Sequence, residues 1–188
     1  MPEPRSVRVV TLGCRVNRGD TDAIAAGLGA RFTASEDAAD PEYVIVNTCT
    51  VTNDADSSAR QVIRRIGREH PNARIVATGC YAQVNPVSLA ALPGVVAVIG
   101  SQDHAAVPGL LQRLESGESV ASAMPRALAD APCWTPPADA LVDHTRAFFK
   151  VQDGCDARCS YCIIPTARGP GRSIPFDEAL ARLAALGA

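Results

Sequence analysis

At 188 residues, 47% hydrophobic and 20% charged, the chain has room for one domain of ordinary size, or for one domain and part of another. A formal net charge of −2 excludes a protein that holds nucleic acid by bulk electrostatics, because phosphate binding needs a clustered basic surface. No apolar run is long enough to cross a bilayer and no basic-then-apolar leader opens the chain, so a cytoplasmic protein with reduced thiols and no membrane partner is expected.

Residues 7–12 form a β-rich run that ends in Gly13-Cys14, and 20–28 follow as a helix with Asp20 or Thr21 near its start. A strand over 43–46 leads into Asn47-Thr48-Cys49, and a helix over about 55–69 is closed by Pro71. A strand over 74–78 runs into Gly79-Cys80-Tyr81; a short helix near 86–92, a strand over 95–99 and a helix over about 103–114 complete the pattern. This alternation predicts an α/β fold, a doubly wound parallel sheet with helices on both faces and right-handed crossovers. Residues 116–144 are rich in Ser, Ala, Pro and Gly, and read as a linker interrupted by Cys133 and Trp134. A new strand starts at 146–152, a cysteine loop follows, and 174–186 make a helix with Asp177 and Glu178 in its first turn. The expected organisation is therefore 1–115, a linker 116–144, and a segment 145–188.

Two sets of cysteines carry the chemistry. In a parallel sheet the carboxyl ends of all strands lie along one edge, so Cys14, Cys49 and Cys80, each closing a strand, are brought to one place. Gly13 and Gly79 would let backbone approach a bulky inorganic centre. One such cysteine alone is better read as a small buried apolar residue; three at equivalent positions favour a metal or cluster site, with the metal unnamed by spacing. The second set is Cys155-Asp-Ala-Arg-Cys159-Ser-Tyr-Cys162, whose short intervals let one loop wrap three thiolates around a single centre. A structural zinc site has four protein ligands, whereas three leave a position for a substrate. Zinc and a plain electron-transfer cluster stay open on these residues alone.

The CxxxCxxC spacing, with Tyr161 before its last thiol, resembles the signature of radical S-adenosylmethionine (SAM) enzymes. Thr11-Leu-Gly-Cys14-Arg-Val-Asn17, Val46-Asn-Thr-Cys49-Thr-Val51 and Ala77-Thr-Gly-Cys80-Tyr-Ala-Gln83 resemble the three cysteine motifs of the methylthiotransferases, a radical SAM family. The resemblance covers nearly the whole chain. It implies two 4Fe-4S clusters, one on Cys155, Cys159 and Cys162 whose open iron binds SAM and acts catalytically, and an auxiliary one on Cys14, Cys49 and Cys80. It implies electron transfer into SAM from a flavodoxin-type donor, formation of a 5′-deoxyadenosyl radical, and attachment of sulfur and a methyl group to a C–H carbon, with Tyr161 placed to shield the cluster or stack near SAM. The Gly13-Cys14-Arg15-Val16-Asn17 run is most similar to the branch that modifies N6-threonylcarbamoyladenosine beside the anticodon of tRNA. The isopentenyladenosine branch usually carries Met before the Asn, and the ribosomal-protein branch a Pro-Lys pair. The resemblance also implies a SAM-binding barrel of which 145–188 is the first βα unit, followed by a small RNA-binding domain, so a shortened version is expected. Thr166 stands where relatives often carry an aromatic.

Other readings fit the same residues. A non-enzymatic iron-sulfur electron-transfer or cluster-binding module fits the same six cysteines, and a zinc-stabilised RNA-binding protein fits Cys155, Cys159, Cys162 and a fourth ligand such as His144. Arg60, Arg64, Arg65 and Arg68 make a helical stripe that suits either tRNA phosphates or a solvated face. Arg168 and Arg172 follow the cysteine loop closely enough to meet an anionic ligand. Asn17 and Asn47 suit donation to cluster sulfides or turn capping. Tyr161 as a packed aromatic and Cys133 as a bystander thiol are the plain alternatives to site roles, and His104 has no ligand spacing.

Overall fold

In the computed structural model, which describes residues 3–118, 128, 133 and 148–186, five parallel strands form one sheet. They are β1 (Arg5–Thr11), β2 (Phe32–Ser35), β3 (Tyr43–Thr48), β4 (Arg74–Gly79) and β5 (Val95–Val98), in the spatial order β2-β1-β3-β4-β5. β3 lies at the centre and is buried along its whole length, which is why its first four residues, 43–46, are a continuous apolar run and not an alternation. Four of the strands match the sequence pattern; β2 does not, because its four residues offer only Phe32 as a large apolar side chain and it pairs on one side alone, with β1.

Helices cover both faces. α1 (Arg15–Gly27) and α5 (Val107–Glu115) pack on one side, where Ile24, Val107, Leu110, Leu111 and Leu114 meet Val7, Val9, Ile45 and Val76. α2 (Asn53–Glu69), α3 (Cys80–Val84) and α4 (Pro86–Ala90) cover the other, where Ala59, Ile63, Ile66, Tyr81 and Leu89 meet Val44, Val46, Ile75 and Ala77. α2 shows why the chain folds so locally. The Thr52 side chain accepts a hydrogen bond from the Ala55 amide, Asp54 and Asp56 sit in the first turn, and Ala59, Ile63 and Ile66 recur at helical spacing. Each of the two isoleucines contributes about 1.5–3 kcal/mol through burial.

α1 begins a turn earlier than the helix expected from residue 20. Cys14, in extended backbone, holds the N-cap place without a side-chain cap, and the polar run that follows Cys14 gave no apolar period to find. Asp20 is thus not a first-turn acid; it lies buried in mid-helix.

Beyond residue 147, β6 (Gln152–Asp153) pairs antiparallel with β7 (Arg172–Ser173), α6 (Ile164–Arg168) packs on α3, and α7 (Phe176–Leu186) closes the segment. The strand expected over 146–152 is reduced to those two residues of β6 within the described part. The expected linker lies outside the described residues apart from 116–118, Leu128 and Cys133, as do Trp134 and His144. Among the described residues no helix is long and apolar enough to cross a membrane.

The chain leaves β1 toward β2 and returns past it to β3, so the crossovers change direction between β1 and β3. That switch point opens a crevice at the carboxyl ends of those two strands, and β4 adjoins it. Gly79, at the end of β4, has φ +93°, and a Cβ there would lie 2.3 Å from Asn47 Oδ1 and 2.4 Å from the Thr48 carbonyl oxygen. Gly79→Ala is expected to lower the urea midpoint by the equivalent of about 2 kcal/mol or more. Gly109→Ala, where an added Cβ meets nothing within 4 Å on α5, is expected to raise it by about 0.5–1 kcal/mol. Equal effects of the two would show that crowding at the strand end is unimportant.

Candidate metal centre

The three strand-end cysteines converge as the topology demands. Cys14 follows β1, Cys49 follows β3, and Cys80 opens α3 directly after β4, the three strands being neighbours in the sheet. Gly13 has φ +95° and is packed so closely that a Cβ on it would stand 2.5 Å from Cys49 Sγ. Asn17 Oδ1 lies 4.0 Å from Cys14 Sγ and 3.9 Å from Cys80 Sγ. Cys14 is exposed, while Cys49 and Cys80 are buried. Burial pushes the Cys80 thiol up to about 11, with the Arg168 charge opposing the rise and Cys49 adding to it. A thiol so placed becomes a thiolate only in the company of a cation or a metal.

Asn17 and Asn47, expected as sulfide donors or turn caps, tie the strand ends together instead. Asn17 Nδ2 donates to the carbonyl oxygens of Leu12 at 2.8 Å and Thr48 at 3.0 Å. Asn47 Nδ2 donates to the Asn17 carbonyl oxygen at 2.8 Å and to Thr21 Oγ1 at 3.1 Å.

Cys155, Cys159 and Cys162 lie on the loop between β6 and α6. The Cys155 amide donates to the Gly169 carbonyl at 3.0 Å and the Cys162 amide to the Cys159 carbonyl at 3.0 Å, which fixes a tight turn. Cys159 is exposed, and Cys155 and Cys162 are half-buried. Tyr161 is 90% exposed, which corrects its reading as a packed aromatic. Among the described residues, no three His, Cys, Asp or Glu side chains are grouped to grip a single metal ion. A cluster instead takes one thiolate per iron, so its cysteines surround a body several atoms wide. Three soft donors at the strand ends, with a glycine at the point of closest approach, fit such a body.

A buried charge group whose pairing the sequence does not reveal joins the two cysteine-bearing parts. Arg168, 3% exposed, was expected to reach an anionic ligand; it is enclosed by protein partners. Its Nε donates to Cys80 Sγ at 3.2 Å, Nη1 to both carboxylate oxygens of Asp153 at 3.1 and 3.2 Å, and Nη2 to Asn17 Oδ1 at 2.7 Å and Asp20 Oδ2 at 2.8 Å. Lys150, the single lysine of the chain, donates to Asp20 Oδ1 at 2.6 Å and Asp153 Oδ2 at 3.2 Å. Two buried cations thus balance two buried carboxylates. Burial alone would raise the Asp153 carboxyl, but the charges of Arg168 and Lys150 hold it down to about 2. Burial would raise Asp20 too, but His104, Arg168 and Lys150 together keep it below the usual carboxylate range. His104 stands 4.0 Å from Asp20 and is buried, and burial pushes its pKa down to about 4. Asp20 in mid-helix and a solitary lysine were the available signals, and neither names a partner.

Of the arginine stripe on α2, Arg60 is turned to Tyr81, donating to its hydroxyl at 2.6 Å with the guanidinium 5.7 Å from the ring centroid. Arg64, Arg65 and Arg68 remain exposed. Arg172 donates to the carbonyl oxygens of Leu128 and Arg168, each at 2.7 Å. Cys133 is a half-buried free thiol that feels the charges of Lys150, Asp153 and Arg172.

Strand order and two cysteine triplets define a doubly wound α/β protein continued by a cysteine-loop segment. Residues 6–100 match the family described as "Uncharacterized protein family UPF0004". The threonylcarbamoyladenosine tRNA methylthiotransferase MtaB of Bacillus subtilis (strain 168) is 39% identical over 183 residues, covering 90% of this chain and 38% of that protein. The ribosomal protein uS12 methylthiotransferase RimO of Prochlorococcus marinus (strain MIT 9303) is 35% identical over 183 residues, covering 95% of this chain and 38% of that protein. In fold the chain is similar to the radical SAM methyltransferase TsrM from Kitasatospora setae, solved with tryptophan substrate and a SAM analogue, with a TM-score of 0.62 at 15% identity over 97% of this chain and 45% of that one. The chain belongs to the family described by UPF0004, and the curated relatives it resembles are methylthiotransferases. It spans 38% of the length of the two curated relatives.

The buried histidine gives a pH signature. His104 has a folded pKa of about 4 against an ordinary value of 6.5, so between those values the unfolded chain binds the extra proton. Stability is then full above about 6.5 and falls as the pH drops toward 4. The expected loss is on the order of 2–3 kcal/mol, read from urea midpoints over that window. Asp20 lies 4.0 Å from the ring, and the charges of Lys150, Arg168 and Asp153 also act on it, the Asp153 carboxyl titrating only near 2. In His104→Gln the slope between pH 4 and 6.5 is expected to flatten, and a slope that persists would assign it to other groups.

Proposed function

We propose that this chain is the cluster-bearing part of a cytoplasmic tRNA-modifying enzyme that methylthiolates N6-threonylcarbamoyladenosine beside the anticodon. The observation that carries the reading is the placement of Cys14, Cys49 and Cys80 at the ends of β1, β3 and β4, joined through Arg168 to the segment that bears Cys155, Cys159 and Cys162. In this reading 1–115 hold an auxiliary 4Fe-4S cluster on the first set, 116–144 link, and 145–188 begin the radical SAM region with a second cluster on the CxxxCxxC set. When bound, the two clusters and SAM supply the electron, the radical chemistry and the transferred sulfur and methyl group.

The chain's own residues bind, orient and exclude water. Cys155, Cys159 and Cys162 ligate, half-buried Ile163 and Ile164 limit water beside the last of them, and exposed Tyr161 is available to stack on SAM. Arg64, Arg65 and Arg68 present charge to tRNA phosphates, and a flavodoxin-type protein is the electron donor. The choice of tRNA branch rests on Gly13-Cys14-Arg15-Val16-Asn17 and on the similarity to the B. subtilis relative. The comparable identity to a ribosomal protein uS12 methylthiotransferase supports a second reading in which the same centre serves a protein substrate.

Anaerobic reconstitution followed by iron and sulfide counting is the test. About eight irons and eight sulfides per chain are expected, falling to about four of each when either triplet is replaced by alanine. The spectrum is expected to change on adding SAM only while Cys155, Cys159 and Cys162 are present. Zinc without sulfide would overturn the scheme.

A further inference from the structure

We infer that Arg168 is a positioning residue that pins the CxxxCxxC segment to the strand-end thiol site and donates an N–H to the sulfur of Cys80. It rests, in its second part, on the reading of Cys80 as a cluster ligand.

The case begins with where Arg168 stands. It is the last residue of α6, six positions after Cys162 in the sequence, yet its partners Asn17, Asp20 and Cys80 belong to the opposite half of the chain. A guanidinium offers five N–H donors in a rigid fork. Here all three nitrogens are engaged, on one sulfur, two carboxylates and one amide oxygen. Such a group fits in one place and one orientation. The neighbouring contacts reinforce that fit, since Ser101 Oγ donates to the Ala167 carbonyl oxygen at 2.8 Å and Gln102 Nε2 to Asp153 Oδ2 at 3.0 Å. The segment on either side of the exposed CxxxCxxC loop is therefore held from within by buried charge, while the loop itself stays open.

The bond to sulfur has a chemical consequence. Hydrogen bonds to cluster sulfurs draw off negative charge and favour the reduced state, so they set the reduction potential. With Cys80 as ligand, Arg168 would couple the redox poise of the strand-end cluster to the docked position of the other cysteine loop.

Arg168→Lys keeps the positive charge that Asp20 and Asp153 need and removes the fork. In metal-free protein, hydrogen–deuterium exchange is expected to quicken in β6, α6 and β7 while β1, β3 and β4 keep their protection. Unchanged exchange in those elements would overturn the docking role. Loss of protection throughout the sheet would overturn it equally, by showing a residue that holds the whole fold. The second measurement uses chains in which Cys155, Cys159 and Cys162 are alanine, so that only the strand-end site takes up iron. There Arg168→Lys is expected to leave iron content unchanged and to move the midpoint potential to more negative values. An unmoved potential at equal iron would refute the bond to a ligand sulfur. Absence of iron in the parent as well would refute the cluster reading on which that bond rests, and the exchange result would still decide the docking.

Discussion

The arrangement depends on a balanced group of buried charges. Asp20 comes from α1, Asp153 from β6, and the cations Lys150 and Arg168 flank the cysteine loop, so neither half of the chain is neutral inside without the other. A buried ion group of this kind is weak evidence for net stability, because desolvation offsets most of the attraction. What it gives is specificity of docking, since any displaced arrangement leaves a bare carboxylate or cation in the interior at a cost of about 3–5 kcal/mol. A hydrophobic contact of the same size would tolerate sliding; a fork aimed at two carboxylates and a sulfur does not.

The sheet provides the fixed side of that contact. Its change of winding direction between β1 and β3 puts the ends of those strands at a crevice, and the order places β4 next to them. Gly13 then lets Cys49 pack against the turn that leads to Cys14, while Asn17 reaches from the first turn of α1 to the ends of both β1 and β3. The turns that carry the thiols are thus held by backbone and amide contacts, while the Cys14 and Cys80 sulfurs face Asn17 Oδ1 and Cys80 Sγ also accepts from Arg168 Nε.

Much of this was legible in the sequence, and the reasons are local. Strands ending in Gly-Cys or Thr-Cys, and CxxxCxxC, are short-range patterns whose meaning is multiplied by the parallel topology. β2 was not legible because an edge strand of four residues carries too few apolar side chains to show a period. The start of α1 was hidden for a different reason: Cys14 replaces the usual Ser, Thr, Asp or Asn cap, and Asp20 imitates one a turn further on. Least legible was the charge group. Its partners stand as far apart as Asp20 and Arg168, and a carboxylate in a helix looks the same in sequence whether it faces water or a guanidinium.

The two thiol sets also differ in kind. Cys159 is exposed on its loop, whereas Cys80 lies inside, with a thiol that burial makes hard to ionise. Cys155 and Cys162, on either side of Cys159, are half-buried. Burial holds the Cys80 thiol back from ionising, and the Arg168 guanidinium at 3.2 Å opposes that effect. Since Arg168 belongs to the segment after the loop, its contact with Cys80 ties the surroundings of that one thiol to the docking of the segment.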